Sequence, residues 1–237
     1  MPAFPKLVAV PTQPEPAPTR AFCMSWRKSI VPAAIALSIA GGCAHVAGGP
    51  HVSGARTVGS FSSLRLEGAA DIVWRRGPTV SVTVEGPKEA VSATTTEIQG
   101  DTLVVAQKPN VSIRGKLEVK IEAPEAKSFE LSGAGNLDAS GLECDALSVK
   151  LRGAGNATLS GKAKSVDLAV SGAGSLKARD LIAGSAKVAV SGVGNVQVTA
   201  SDELVASVSG VGGVTYFGHP KHVTRATSGI GSISAGD

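Results

Sequence analysis

From residue 57 onward, apolar and polar residues alternate one by one along most of the chain, and from Leu131 the alternation itself repeats. Two residues before a recurring glycine stand Leu131, Leu151, Val170, Val190, Val208 and Thr227; four before it stand Phe129, Val149, Leu168, Val188, Ala206 and Arg225. Four after it come Leu137, Ala157, Leu176, Val196, Val214 and Ile233, and six after it Ala139, Leu159, Ala178, Val198, Tyr216 and Ala235. The positions between are mostly Ser, Lys, Asp, Thr, Glu and Gln. A period of two with β-branched residues predicts strands with one buried face.

The recurring glycine opens a Gly-x-Gly pair in every unit: Gly133 and Gly135, Gly153 and Gly155, Gly172 and Gly174, Gly192 and Gly194, Gly210 and Gly212, Gly229 and Gly231. The first glycines are 20, 19, 20, 18 and 19 residues apart. A fixed step near twenty is the mark of a solenoid whose units stack. Each coil reads as strand, tight bend, strand and a looser return. A helix is excluded, because glycines repeated inside helices would each cost about 1 kcal/mol relative to alanine. The fold class predicted is all-β, a parallel β-helix or β-solenoid with coils of 19–20 residues. At about 4.8 Å per coil, six coils span roughly 29 Å. The paired glycines imply positive φ or too little room for a Cβ beside the next coil. Beside them, Asn136, Asn156 and Asn195 are placed to form a polar ladder along the edge.

Upstream the pattern is less regular. Leu64 and Leu66 before Gly68, with Ile72 and Trp74 after it, fit the template as a diverged seventh unit in which Ala70 replaces the second glycine. Thr79–Glu85, Val91–Ile98, Thr102–Gln107 and Lys116–Glu122 read as further strands, broken by Gly86-Pro87, Gly100-Asp101, Pro109-Asn110 and Pro124. Residues 57–124 are thus expected to cap the regular coils of 125–237 within one domain.

Composition adds an address. Residues 1–23 carry six prolines and no periodicity, as an unstructured extension would. Met24-Ser-Trp-Arg-Lys, an apolar run from Ile30 to Ala40 and then Gly41-Gly42-Cys43 have the order of an export signal over 24–42, with Met24 the expected translation start. That run is shorter than the roughly 20 apolar residues that span a bilayer. Ala40-Gly41-Gly42-Cys43 resembles the lipobox of bacterial lipoproteins, which implies acylation of Cys43 and, with Ala44 rather than aspartate next, an outer-membrane lipoprotein. An ordinary signal peptide cut near Ala44 is the alternative. Residues 43–56 have the composition of a flexible linker. The net charge of +4 arises mostly upstream of the linker, leaving 19 basic and 18 acidic residues after residue 42. Nucleic acid is therefore not an expected partner.

The opening Phe61-x-x-Leu-x-Leu-x-Gly-x-x-Asp-Ile72, the Gly100-Asp-x-Leu-x-Val105 element and the tandem Ser-Gly-x-Gly units together resemble the head GIN domain family (DUF2807), labelled an auto-transporter adhesin, over roughly Val58–Ser234. The resemblance implies a secreted or lipid-anchored β-helical domain of the bacterial cell envelope.

Candidate chemistry is sparse. A calcium roll needs an aspartate in coil after coil, but the positions matching Asp138 are Thr158, Lys177, Gln197, Thr215 and Ser234. His219 and His222 are three apart with no third ligand nearby. Glu130, Asp138, Glu143, Asp145, Asp167, Asp180, Asp202 and Glu203 are spread over the coils rather than paired as in glycosidases. Ser132, Ser171, Ser191, Ser209 and Ser228 form a row broken by Arg152, without a paired histidine. Cys144 has no disulfide partner once Cys43 is acylated, so it is expected to be a small buried or edge residue. No catalytic residue, metal or cofactor is expected. The expected function is a non-enzymatic cell-envelope lipoprotein whose solenoid surface serves adhesion or binding of an envelope protein or glycan. A periplasmic scaffold of envelope machinery and a β-helical carbohydrate-active enzyme are the alternatives. The C-terminal coil, with no capping helix in sequence, is expected to permit homo-oligomer formation through open coil ends.

Overall fold

A computed structural model describes residues 50–108 and 115–237. The extension 1–23, the signal segment 24–42 and Cys43 itself lie outside the described residues. In chain order the elements are β1 (His51–Arg56), β2 (Ser63–Glu67), β3 (Asp71–Arg76), β4 (Ser81–Pro87), α1 (Lys88–Ala93), β5 (Thr94–Gln99), β6 (Thr102–Gln107), β7 (Glu118–Ala123) and β8 (Ser128–Leu131). Then follow β9 (Leu137–Leu151), β10 (Ala157–Val170), β11 (Leu176–Val190), β12 (Val193–Val208), β13 (Val211–Phe217), β14 (His222–Thr227) and β15 (Ile230–Ala235). The fold is a parallel β-solenoid.

Successive coils lie in parallel register. Leu168 pairs with Val149 on one side and Val188 on the other, one turn of sequence away in each direction. The segments after each glycine corner form one parallel run, β3-β9-β10-β11-β12-β13-β15. Those before it form a second, in which β2, β8, β9, β10, β11, β12 and β14 follow one another. The return is itself strand: β9 to β12 run unbroken from one corner to the next. The 18- to 20-residue variation between corners is absorbed there by register shifts, at Thr158/Ser160 and Ala178/Ile182 for example.

Every second residue points inward, as the alternation requires. Leu137, Val149, Leu168, Leu176, Val188, Val196 and Leu204 are fully buried, each burial contributing about 1.5–3 kcal/mol. Near the first coil Trp74 meets Phe129 edge to face at 6.0 Å, the middle coils are filled by Val, Leu and Ala, and Tyr216 is buried in β13.

The diverged unit joins the stack as its sequence implies: Leu64 and Leu66 pair with Phe129 and Leu131, and Ile72 and Trp74 with Leu137 and Ala139. The stretch between Arg76 and Ser128 then extends both sheets past that coil. β7 lies parallel beside β3, followed by antiparallel β4 and β1. β6 lies parallel beside β2, with antiparallel β5 beyond it. Between β4 and β5, α1 buries Ala90, Val91 and Ala93.

Two expectations need correction. Lys88–Ala93 is a helical turn, not the start of a strand at Val91: Pro87 fits its N-terminal end, and Lys-Glu-Ala are good helix formers whose small apolar face fills the end of the core. His51–Arg56 is a strand rather than linker. It pairs with β4 over six residues, and Arg56 Nη2 donates to the Val91 carbonyl at 2.7 Å.

Candidate functional site

The Gly-x-Gly corners are the most regular surface of the molecule. At each corner the middle residue donates its backbone N–H to the first glycine of the preceding coil: Ala154 to Gly133 at 3.0 Å, Ala173 to Gly153 at 3.0 Å, Val193 to Gly172 at 3.0 Å. Coils approach so closely here that a Cβ on Gly153 would overlap the Gly133 carbonyl, and one on Gly155 the Gly135 carbonyl. Lack of room, rather than backbone dihedral, is therefore the general reason for glycine. Of the twelve corner glycines only Gly135 (φ 155°) and Gly212 (φ 143°) have positive φ.

The middle residues line up as a ridge. Ala69, Ala134, Ala154, Ala173 and Val193 are linked by successive parallel bridges, and Val211 and Ile230 continue the row. Val193, Val211 and Ile230 are 59, 48 and 79% exposed, so large aliphatic side chains stand in solvent toward the C-terminal coils.

Polar rows flank the ridge. On one side Asp71 Oδ1 accepts from the Asn136 backbone at 3.0 Å and from its Nδ2 at 2.9 Å. Asn136 Oδ1 accepts from the backbone and side chain of Asn156, and Asn156 Oδ1 from the Ser175 backbone at 3.1 Å. Asn195 occupies the same row one coil on, paired with Gly213. On the other side Ser132 Oγ donates to the Leu66 carbonyl at 2.9 Å, and Ser171 and Ser209 make longer versions of that bond to Leu151 and Val190. These hydroxyls hold coil to coil. Arg152, which breaks the row, reaches Glu130 Oε1 at 3.0 Å while Arg65 Nε reaches Oε2 at 3.2 Å. That three-charge ladder joins positions 65, 130 and 152, far apart in sequence, and only the coil register reveals it.

The other charged candidates do not converge. Apart from half-buried Glu130, the eight carboxylates singled out are exposed. Lys164 Nζ pairs with Asp145 at 2.7 Å and Lys221 Nζ with Asp202 at 2.7 Å. Hydrogen bonding to Asp145 raises the Lys164 pKa, and that to Lys221 lowers the pKa of Asp202. His219 and His222 are exposed, and no cluster of three metal-ligating side chains occurs among the described residues. Cys144 is half-buried beside a shallow groove of about 660 Å³ that includes Arg76, Lys127, Glu143 and Lys162. Burial, then the nearby Asp145, push its thiol pKa up. A second groove of about 500 Å³ runs across Leu147, Val166 and Ala186 between Ser148, Ser165 and Ser185.

The family model described as "Putative auto-transporter adhesin, head GIN domain" (DUF2807) matches residues 60–220. The chain belongs to this family. The match runs from the first coil through the capping excursion to the fifth Gly-x-Gly corner. Among solved structures, the head GIN domain is similar to a putative adhesin from Bacteroides fragilis at 21% identity, with a TM-score of 0.68 over 78% of this chain and 97% of that one. A putative adhesin from Parabacteroides merdae is similar at 19% identity, with a TM-score of 0.48 over 80% and 97%. A protein of Parabacteroides distasonis titled a putative lipid binding protein is similar at 20% identity, with a TM-score of 0.47 over 80% and 98%. No curated protein matches the chain. The family's description is one of adhesion, which is binding rather than catalysis.

Proposed function

We propose that this head GIN domain is a non-enzymatic binding module of the bacterial cell envelope, tethered by a lipid on Cys43 and presenting its solenoid faces for adhesion. The observation that carries the reading is the in-register stacking of outward side chains along the corner. It converts a 20-residue sequence into continuous rows of Asn, Ser and aliphatic residues on a backbone held by its own ladder. Such rows suit a repetitive or extended partner, a glycan or an envelope protein. Membership of a family described as adhesins supports the same direction. The segment Ala40-Gly41-Gly42-Cys43 supplies the attachment, and a tether at the N-terminal side leaves the coils free to face outward.

The test compares wild-type cells with Cys43→Ala cells. Protease added to intact cells should digest the wild-type protein, while the variant should leave the membrane fraction. Wild type that resists protease until the outer membrane is opened would overturn surface display and favour a periplasmic scaffold. A variant that stays in the membrane fraction would overturn the lipid anchor.

A further inference from the structure

The sheet face that follows the glycine corners changes character along the axis. Its outward positions, one, three, five and seven residues after each first glycine, form four rows across six coils. In the last three coils none of these twelve positions is charged, although 18% of the chain is. The row nearest the corner also grows, from Ala134, Ala154 and Ala173 to Val193, Val211 and Ile230. Nothing in the fold requires this, since all six side chains point to solvent.

We infer that this face is a contact surface for a second copy of the same chain, packed face to face and turned end for end. A twofold axis along the strands brings the coil of Gly133 over that of Gly229. Ala134 then lies opposite Ile230, Ala154 opposite Val211 and Ala173 opposite Val193, so each large side chain meets a small one. The three charged residues of the face are matched as well: Asp138 lies opposite Ser234, Lys177 opposite Gln197, and Arg179 opposite Thr199. No like charges oppose one another. Arg179 is already held within its own chain, 4.3 Å over the Phe217 ring.

A second copy is the favoured occupant for two further reasons. Its rows have the same coil spacing of about 4.8 Å, so a match made at one coil is repeated at the next. The face has no Trp or Tyr of the kind that mark membrane-interface surfaces, and its basic residues are limited to Lys177 and Arg179, the latter turned onto Phe217. Its size is also adequate: four rows about 6.6 Å apart and six coils give roughly 750 Å², close to the ~800 Å² per partner of a stable complex. The contact is isologous and therefore closes as a dimer. It is independent of how the protein is anchored.

The experiment uses the full chain carrying Cys43→Ala, to remove acylation, in sedimentation equilibrium over a concentration series. The expected result is a monomer–dimer equilibrium that weakens on the order of a hundredfold with Val211→Lys, because the ammonium is then buried against Ala154 with no opposing charge. Ile230→Glu should weaken it similarly, Thr224→Lys on the other face should leave it unchanged, and all three should keep the wild-type circular dichroism. An equimolar mixture of Val211→Lys and Ala154→Glu, whose new side chains face one another across the axis, should recover association. A wild type that remains monomeric at several hundred micromolar, or folded Val211→Lys and Ile230→Glu proteins that dimerise like wild type, would overturn the proposal. A monomeric wild type that co-sediments with phosphatidylcholine–phosphatidylglycerol vesicles, and loses this with Val211→Lys, would overturn it in favour of a lipid surface.

Discussion

A single backbone carbonyl decides each corner glycine. Gly153→Ala would force its methyl group into the Gly133 carbonyl, so two coils must separate and the corner ladder must break. Urea unfolding should show a loss of about 3 kcal/mol, the upper range for overpacking. Gly59→Ala, where a Cβ meets nothing within 4 Å, should change stability by less than about 0.5 kcal/mol. Inside the coil, Leu168→Ala removes a fully buried side chain and should cost about 2–5 kcal/mol. The corner glycines and the inward Val and Leu were legible from sequence because both recur with the coil. What recurrence alone did not distinguish was lack of space from left-handed backbone, since both select glycine. Arg152 was legible only as an interruption, because its partner Glu130 is adjacent across the stack and not along the chain.

At the scale of elements, alternation identified strands but not their neighbours. β4 and β7 both read as alternating segments, yet one is antiparallel and the other parallel, and the register of β7 beside β3 is set by contacts some 47 residues apart. α1 was hidden for another reason: Ala90, Val91 and Ala93, in only six residues, are too few to resolve a helical period. The start of β14 carries a pH-dependent clip. Asp202, its pKa lowered by Lys221, contributes above the ordinary carboxylate range and loses that contribution as pH falls through its folded value. Lys221, its pKa raised by Asp202, contributes below the ordinary lysine range and loses it as pH rises through its folded value. Amide exchange in β14 should therefore be slowest between those limits relative to a Lys221→Met variant, and the two proteins should converge in strong acid.

For the whole molecule, stability is distributed along an axis. The N-terminal coils are covered by α1, β1 and β5, whereas every residue of β14 and nearly every residue of β15 is exposed. Hydrogen exchange should then be slowest in β9 to β11 and fastest in β14 and β15, as nearest-neighbour coupling in a stacked array requires. Uniform protection from β2 to β15 would contradict this ordering. The solenoid was readable at this scale because its repeats restate one instruction six times, whereas the covered end is written once.

The slack in the return leg has a consequence for heredity. The six Gly-x-Gly corners keep both glycines, whereas the return accommodates steps of 18 to 20 residues by shifting register. An in-frame duplication of one step, such as Ser171–Val190, would therefore insert a ready-made coil whose glycines, core residues and hydroxyls already match those above and below. Each such event lengthens the molecule by about 4.8 Å, so reach is a quantity this lineage can adjust by copying, without inventing a new sequence.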